Sequence, residues 1–368
     1  MVRMPRGSSS RDDTRAWVDV DLRSLLHNAT SLAQHARVPL IPMVKANAYG
    51  LGAVEVTRAL ERLAPMAFGV SSIIEAEELR AAGIRRPIML FTPSLPSDVA
   101  RILAAGITPT LATHNGIEAW MIAGGGAWHL AIDTGMHRAG ANWDALDPLL
   151  ETLRRWTPDG AFTHFHSAEL DDGSMNQQEE RFRAVVARLP VRPMLLHAEN
   201  SAAIVRRPFS EWDCVRPGIF LYGVGGGARA TLRPEPVVCL RARILELRNV
   251  AKGESVSYGA TWHARGTHRI ATVACGYADG LRRHLSNTGC GLIHGARVPI
   301  VGAVTMDMTM LDVTGVDCAI GDAVTFIGTS RGSHLTTEDV AAAGGLSPYE
   351  LLTGLRLRLP RDYRMRDE

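Results

Sequence analysis

Cysteine is scarce and scattered. The five present (Cys214, Cys239, Cys275, Cys290 and Cys318) are odd in number, far apart and without a C-x-x-C pair. That excludes a disulfide scaffold or a structural zinc and fits a reducing compartment. No apolar run approaches the length of a membrane span, and the opening MVRMPRGSSSRDDTR lacks the apolar centre of a secretory signal. The expectation is a cytoplasmic protein with no membrane partner and a frayed polar tail over residues 1–15. An excess of one charge is lacking too. The formal net charge is +2 and the arginines form no basic block, so nucleic acid is not an expected partner.

What is present is a repeated theme. Eight apolar runs, VPLIPMV, MAFGVS, RPIMLFT, ITPTLAT, WHLAID, AFTHFH, RPMLLH and DCVRPGI, follow one another between residue 38 and about residue 223. Helical signals lie between them, including IIEAEELRAAG, SDVARILAAG and NQQEERFRAVVARL, with apolar residues at three- and four-residue spacing. Glycine ends the AAG of two of these, where a left-handed cap is wanted. Strands alternating with helices predict parallel βα units closing into a (β/α)8 TIM-type barrel over residues 16–237, with an open doubly wound sheet as the alternative. From 238 to 368 the texture changes to short alternating strands such as VCLRARILEL, HRIATVAC and AVTFIGT, which predict a mostly β C-terminal domain.

In a barrel, functional residues belong at the C-terminal ends of the strands. Those positions carry Lys45, Ser71, Thr92, His114, the stretch Asp133 to Arg138, His164, Asn200 with Ser201, and Arg216 with Gly218. A lysine, a glycine–serine anion cradle and a group able to face a pyridine nitrogen are the parts that hold pyridoxal phosphate. Arginine at that nitrogen, Arg216 here, would leave it bare and make the ring a weaker electron sink, because arginine does not give up its proton. Two other signals carry less. The HFH of 164–166 resembles a metal pair, but alternate strand residues face opposite sides, and no metal is expected. GVGGG at 223–227 lacks the Lys-Ser/Thr of a phosphate loop and reads as a turn.

VKANAYGLG, DTGMHRAG, THFHSAE, HAENSAA, VRPGIFLYG, VSYGATW, GYADG and VTMDMTMLDV occur in this order. Together they resemble the alanine racemase family of barrel-type pyridoxal-phosphate enzymes, over residues 16 to about 363. The resemblance implies that Lys45 binds the cofactor covalently and acts as one base. It makes Tyr49 a phosphate ligand, His164 a neighbour of the cofactor ring, and Ser201, Gly218, Ile219 and Tyr222 the rest of the phosphate site. Arg216 would face the ring nitrogen. Arg138 would steady the cofactor's phenolic oxygen and the substrate carboxylate. Tyr258 would be the second base, supplied with Met306 and Asp307 by the other subunit of a head-to-tail homodimer. The implied activity is interconversion of L- and D-alanine, supplying D-amino acid for cell-wall peptidoglycan.

Four positions depart from the family pattern. Ala131 stands where many relatives carry a carbamylated lysine, Ala303 replaces an arginine, Thr305 a cysteine or serine, and Leu357 a tyrosine of the substrate entrance. Ala131 and Leu357 would enlarge or depolarise the pocket, a change worth ~1–3 kcal/mol in discrimination between neighbouring substrates. A racemase of serine or of broader range is therefore the alternative. A barrel-type amino-acid decarboxylase would need an acid at the ring nitrogen, and a non-catalytic pyridoxal-phosphate-binding protein would lack the β domain.

Overall fold

The structure is a computed structural model that describes residues 14–365. Most of the expected tail, residues 1–13, lies outside the described residues. The chain divides into two compact units, one formed by Leu22–Val237 and the other by residues from Val238 onward together with the strand Ala16–Asp21.

The first unit is the barrel that the eight apolar runs predict. Strands Phe68–Val70, Ile88–Leu90, Ile107–Leu111, His129–Asp133, Gly160–Phe162 and Leu195–His197 pair in parallel, in that order. The first and last runs complete the ring through the parallel bridges Leu40↔Val215, Met43↔Gly69 and Asn200↔Arg216. They form bridges rather than long ladders because Pro39, Pro42 and Pro217 contribute no N–H. Carbonyls still serve: Ile41 N donates to Val215 O at 2.8 Å and Met43 N to Pro217 O at 2.8 Å. The strands are buried on both faces, as a parallel sheet requires.

Outer helices follow their patterns. Leu22–Ala36 buries Leu22, Leu25, Ala29, Leu32 and Ala36 at helical spacing. Its buried Asn28 donates to Leu221 O and Glu235 O and accepts from Glu235 N, fastening the end of the barrel. Helix Ile73–Ala81 starts at a complete capping box of Ser72 and Glu75. Gly83 and Gly106 adopt the left-handed conformation just beyond their helices, where the AAG signals place them.

The second unit is built on the long strand Val238–Val250, whose burial alternates with period two from Val238 to Ile244. It pairs antiparallel with His268–Val273 and Ala323–Ser330, and also with Ala16–Asp21. That last strand was expected inside the barrel segment. It belongs to the β unit because it is sandwiched between Val238–Val250 and the parallel strand Arg361–Arg364. Buried Asp19 holds the arrangement, accepting from Arg364 at 2.6 Å and from Arg241. Two short helices, Thr337–Ala343 and Pro348–Thr353, precede the strand Arg361–Arg364.

Candidate active site

The run LIPMV ends at the barrel rim, and there the chain turns in the wrong hand. Ala46, Asn47, Ala48 and Tyr49 all take left-handed φ values between 50° and 56°, forming one left-handed helical turn directly after Lys45. Such a turn costs L-residues roughly 1–2 kcal/mol each. Tertiary bonds offset the cost. Ala46 N donates to Glu75 Oε1 at 2.7 Å, Ala53 N donates to Asn47 Oδ1 at 2.8 Å, and Ala48 and Tyr49 are buried. Strain of this kind collects at functional sites.

The turn delivers Tyr49 onto Tyr222, with ring centroids 4.7 Å apart and an interplanar angle of 25°. Tyr222 is fully buried and donates its hydroxyl to Met43 O at 2.7 Å, so it anchors the strand that leads to Lys45. A Cβ on Gly218 would lie 2.4 Å from the Tyr49 hydroxyl oxygen. Only glycine leaves room for that hydroxyl. Beside it, Ser201 Oγ accepts from Gly218 N at 2.8 Å and from Phe220 N at 3.3 Å, while Asn200 caps the short helix that carries Ser201. Ile219 opens the buried 3-10 turn Ile219–Tyr222. Tyr49, Ser201, Gly218, Ile219 and Tyr222 are therefore brought together.

Around this cradle the charges are positive. The Lys45 ammonium is held below its ordinary pKa by burial, then by the Arg138 charge, with the Glu75 carboxylate opposing. His164 is lowered to about 3 by burial, then by Arg216, Arg138 and Lys45. It is neutral at physiological pH. Buried Arg216 is lowered to about 10 by burial and still carries its charge near neutrality. Its guanidinium donates to Thr163 O at 2.6 Å, Ala198 O at 3.2 Å and His197 Nδ1 at 2.6 Å. It also lies over the rings of Phe162 and Phe91.

Four residues escape a reading of motifs. His197 and His129 are buried and joined by a 2.8 Å bond from one ring to the other. Gln178, also buried, accepts from His166 N and donates to His164 O and Thr134 Oγ1, fixing the loop that carries His164. Glu75, which caps its own helix with Ser72, also accepts from Ala46 N. Inward-facing histidines on WHLAID and RPMLLH, the two strands that flank Gly160–Phe162, are the signal that could have found the first pair. Other rim residues turn elsewhere. His114 Nδ1 meets Thr152 Oγ1 at 2.6 Å, and Asp133 Oδ1 accepts from Gly135 N and His137 N to shape its own loop.

In the β unit, Tyr258 is 74% exposed on the turn after strand Ser255–Val256. Met306 is exposed, and Asp307 accepts from Arg358 at 2.8 Å while Arg358 also grips Asp279.

The family model "Alanine racemase, N-terminal domain" matches residues 20–225, and "Alanine racemase, C-terminal domain" matches residues 237–363. The chain belongs to the alanine racemase family. Among relatives, the alanine racemase of Sorangium cellulosum is 38% identical, covering 95% of this chain and 99% of its own. That of Carboxydothermus hydrogenoformans is 36% identical, covering 94% and 99%. The crystal structure of alanine racemase from Bacillus anthracis with bound L-Ala-P superposes with a TM-score of 0.88 at 30% identity, covering 95% of each chain. The Bartonella henselae alanine racemase with covalently bound pyridoxal phosphate gives a TM-score of 0.87 at 31% identity, covering 95% of this chain and 100% of that one.

The residues present fit the cofactor of such an alanine racemase. Lys45 supplies an amine whose charge is disfavoured. The space kept open at Gly218 lets the Tyr49 hydroxyl stand beside Ser201, where phosphate oxygens would find donors.

Proposed function

We propose that this protein is a pyridoxal-phosphate-dependent alanine racemase that works by two bases. The observation that carries the reading is the pairing of Lys45, lowered in pKa at the tip of a left-handed turn, with the Tyr49–Gly218–Ser201 cradle beside it. When bound, pyridoxal phosphate supplies the electron sink that acidifies the substrate's α-carbon. Lys45 would bind it covalently and Tyr49, Ser201 and the backbone at Gly218 and Ile219 would hold its phosphate, with Tyr222 stacked beneath Tyr49. Arg216, a permanent cation pinned to two carbonyls, would face the ring nitrogen without protonating it. His164 would pack beside the ring as a neutral imidazole.

Racemisation needs a proton removed on one face of the α-carbon and returned on the other. The Lys45 amine serves one face. The Tyr258 hydroxyl of a second copy serves the other, with Met306 and Asp307 beside it, so that the working form is a homodimer. Arg138 would hold the substrate carboxylate. It has no hydrogen-bond or ion-pair partner among the described residues, in keeping with Ala131 where a carbamylated lysine would stand. The product would serve peptidoglycan synthesis.

Ala131 and Leu357, the latter 83% exposed, favour one second reading, a wider substrate range that includes serine. Incubation of the purified protein with single L-amino acids, followed by chiral chromatography, tests both. D-alanine formed fastest supports the first reading, D-serine formed faster supports the second, and no D-product overturns the assignment.

A further inference from the structure

Tyr258 stands mostly in solvent in its own chain, so packing against its ring does not aim it; the backbone must. That backbone is unusual on both sides. Ser257 has φ 69° and ψ −177°, a region populated almost solely by glycine. Gly259 follows at φ 73° and Ala260 at φ 45°. A turn needed only to join strand Ser255–Val256 to Trp262–His263 has no use for a serine in that conformation.

Two side chains hold it there. Ser257 donates its hydroxyl to Ala303 O at 2.7 Å. Asn287 donates to Thr261 Oγ1 at 3.0 Å and accepts from Gly302 N at 2.6 Å, tying the far end of the turn to the neighbouring segment. That segment lies tight against the turn: a Cβ on Gly302 would lie 2.4 Å from Val256 O and 2.9 Å from Ser257 Cβ, so only glycine permits the approach that both bonds need. Below the turn, Val256, Val301 and Trp262 pack in one cluster and make a firm base.

We propose that Ser257 and Asn287 are positioning residues for the proton transfer made by Tyr258, a two-point clamp that keeps its turn in a conformation the chain otherwise avoids. The inference rests on the reading of Tyr258 as the second base. Misplacing a reacting group by about 1 Å can cost on the order of 100-fold in rate, so a clamp on an exposed tyrosine has a kinetic consequence that it lacks for stability.

The test uses the full-length, cofactor-loaded enzyme. Ser257→Gly removes the tether and suits the backbone, Ser257→Ala removes the tether and keeps the strain, and Asn287→Gly removes the second tether at a left-handed position (φ 61°) that glycine accepts. Ser257→Gly is expected to melt roughly 2–5 °C above Ser257→Ala, yet to turn over roughly 10- to 100-fold more slowly than the parent. Asn287→Gly is expected to slow turnover by a similar factor. The kinetic isotope effect of α-deuterated substrate should rise for one enantiomer only, since one face depends on Tyr258. Tyr258→Phe runs alongside. If it is inactive while Ser257→Gly and Asn287→Gly keep the parent turnover, the clamp is overturned and the second base stands. If both glycine variants lose activity only in proportion to folded protein, the role is merely structural and the proposal falls. Parent-like turnover by Tyr258→Phe would remove the reading beneath it.

Discussion

The guanidinium of Arg216 donates to Nδ1 of His197 at 2.6 Å, and that bond determines the protonation of two histidines. Arginine has no lone pair to offer, so His197 Nδ1 must accept and its proton sits on Nε2. Nε2 then donates to His129 Nδ1, 2.8 Å away, which leaves the His129 proton on its own Nε2. One tautomer per ring satisfies the chain Arg216–His197–His129.

Acid should break this chain. Burial lowers His129 to about 4 and His164 to about 3, and burial with Arg216 lowers His197 well below the ordinary 6.5. Below pH 6.5 the unfolded chain binds protons that the folded chain refuses. Stability is therefore fully present above pH 6.5 and is lost as pH falls toward the folded values, by about 1.4 kcal/mol per pH unit for each histidine. Urea melts at pH 7, 6 and 5 should show the decline. His129→Gln should flatten it, and an unchanged slope would show that His129 does not titrate in this way.

Gly218 has φ −125°, so alanine meets no left-handed penalty there, but the Tyr49 hydroxyl oxygen fills the space that its Cβ would need. Gly218→Ala should weaken cofactor binding by about tenfold or more through displaced Tyr49 contacts. Tyr49→Phe removes the oxygen at 2.4 Å and leaves ring carbon Cζ at 3.2 Å. The double variant should bind cofactor no worse than Gly218→Ala alone, a non-additive cycle readable by equilibrium dialysis. Strict additivity would separate the two residues.

Arg216→Lys keeps a cation but cannot reach two carbonyls and an imidazole at once. A loss of roughly 2–4 kcal/mol in stability follows from the buried acceptors left unpaired, and calorimetry would measure it. Arg216→Glu should slow racemisation and raise transamination per turnover by favouring a protonated ring nitrogen. Pyruvate counted against D-alanine decides this. An unchanged ratio would mean that Arg216 does not face that nitrogen.

Shared sites make a sharper test of the dimer. Lys45→Ala and Tyr258→Phe chains should each be inactive alone. Mixed under conditions of verified subunit exchange, they should recover one good site per heterodimer, about a quarter of parent activity at equal mixing. No recovery would place both bases in one chain.

The sequence by itself determined the local and periodic features. Eight apolar runs, the AAG caps and the Ser72–Glu75 box are set by neighbours in the chain, and each is found where its pattern lies. Lys45, Arg216, Ser201 and Gly218 were legible because a barrel sends every strand end to one rim, whereas Tyr49 was legible only through the resemblance carried by VKANAYGLG. Three things belonged to the tertiary structure. Strand Ala16–Asp21 joined the β unit because its partners, Val238–Val250 and Arg361–Arg364, arrive from the other end of the chain, and no local pattern encodes a distant edge. His129 and His197 met because closing the barrel brought two inward residues within one hydrogen bond. The left-handed turn at Ala46–Tyr49 and the strained Ser257 were invisible for the same physical reason: alanine, tyrosine and serine do not choose positive φ by propensity. Only bonds from distant residues, Glu75 to Ala46 and Ser257 to Ala303, hold them there.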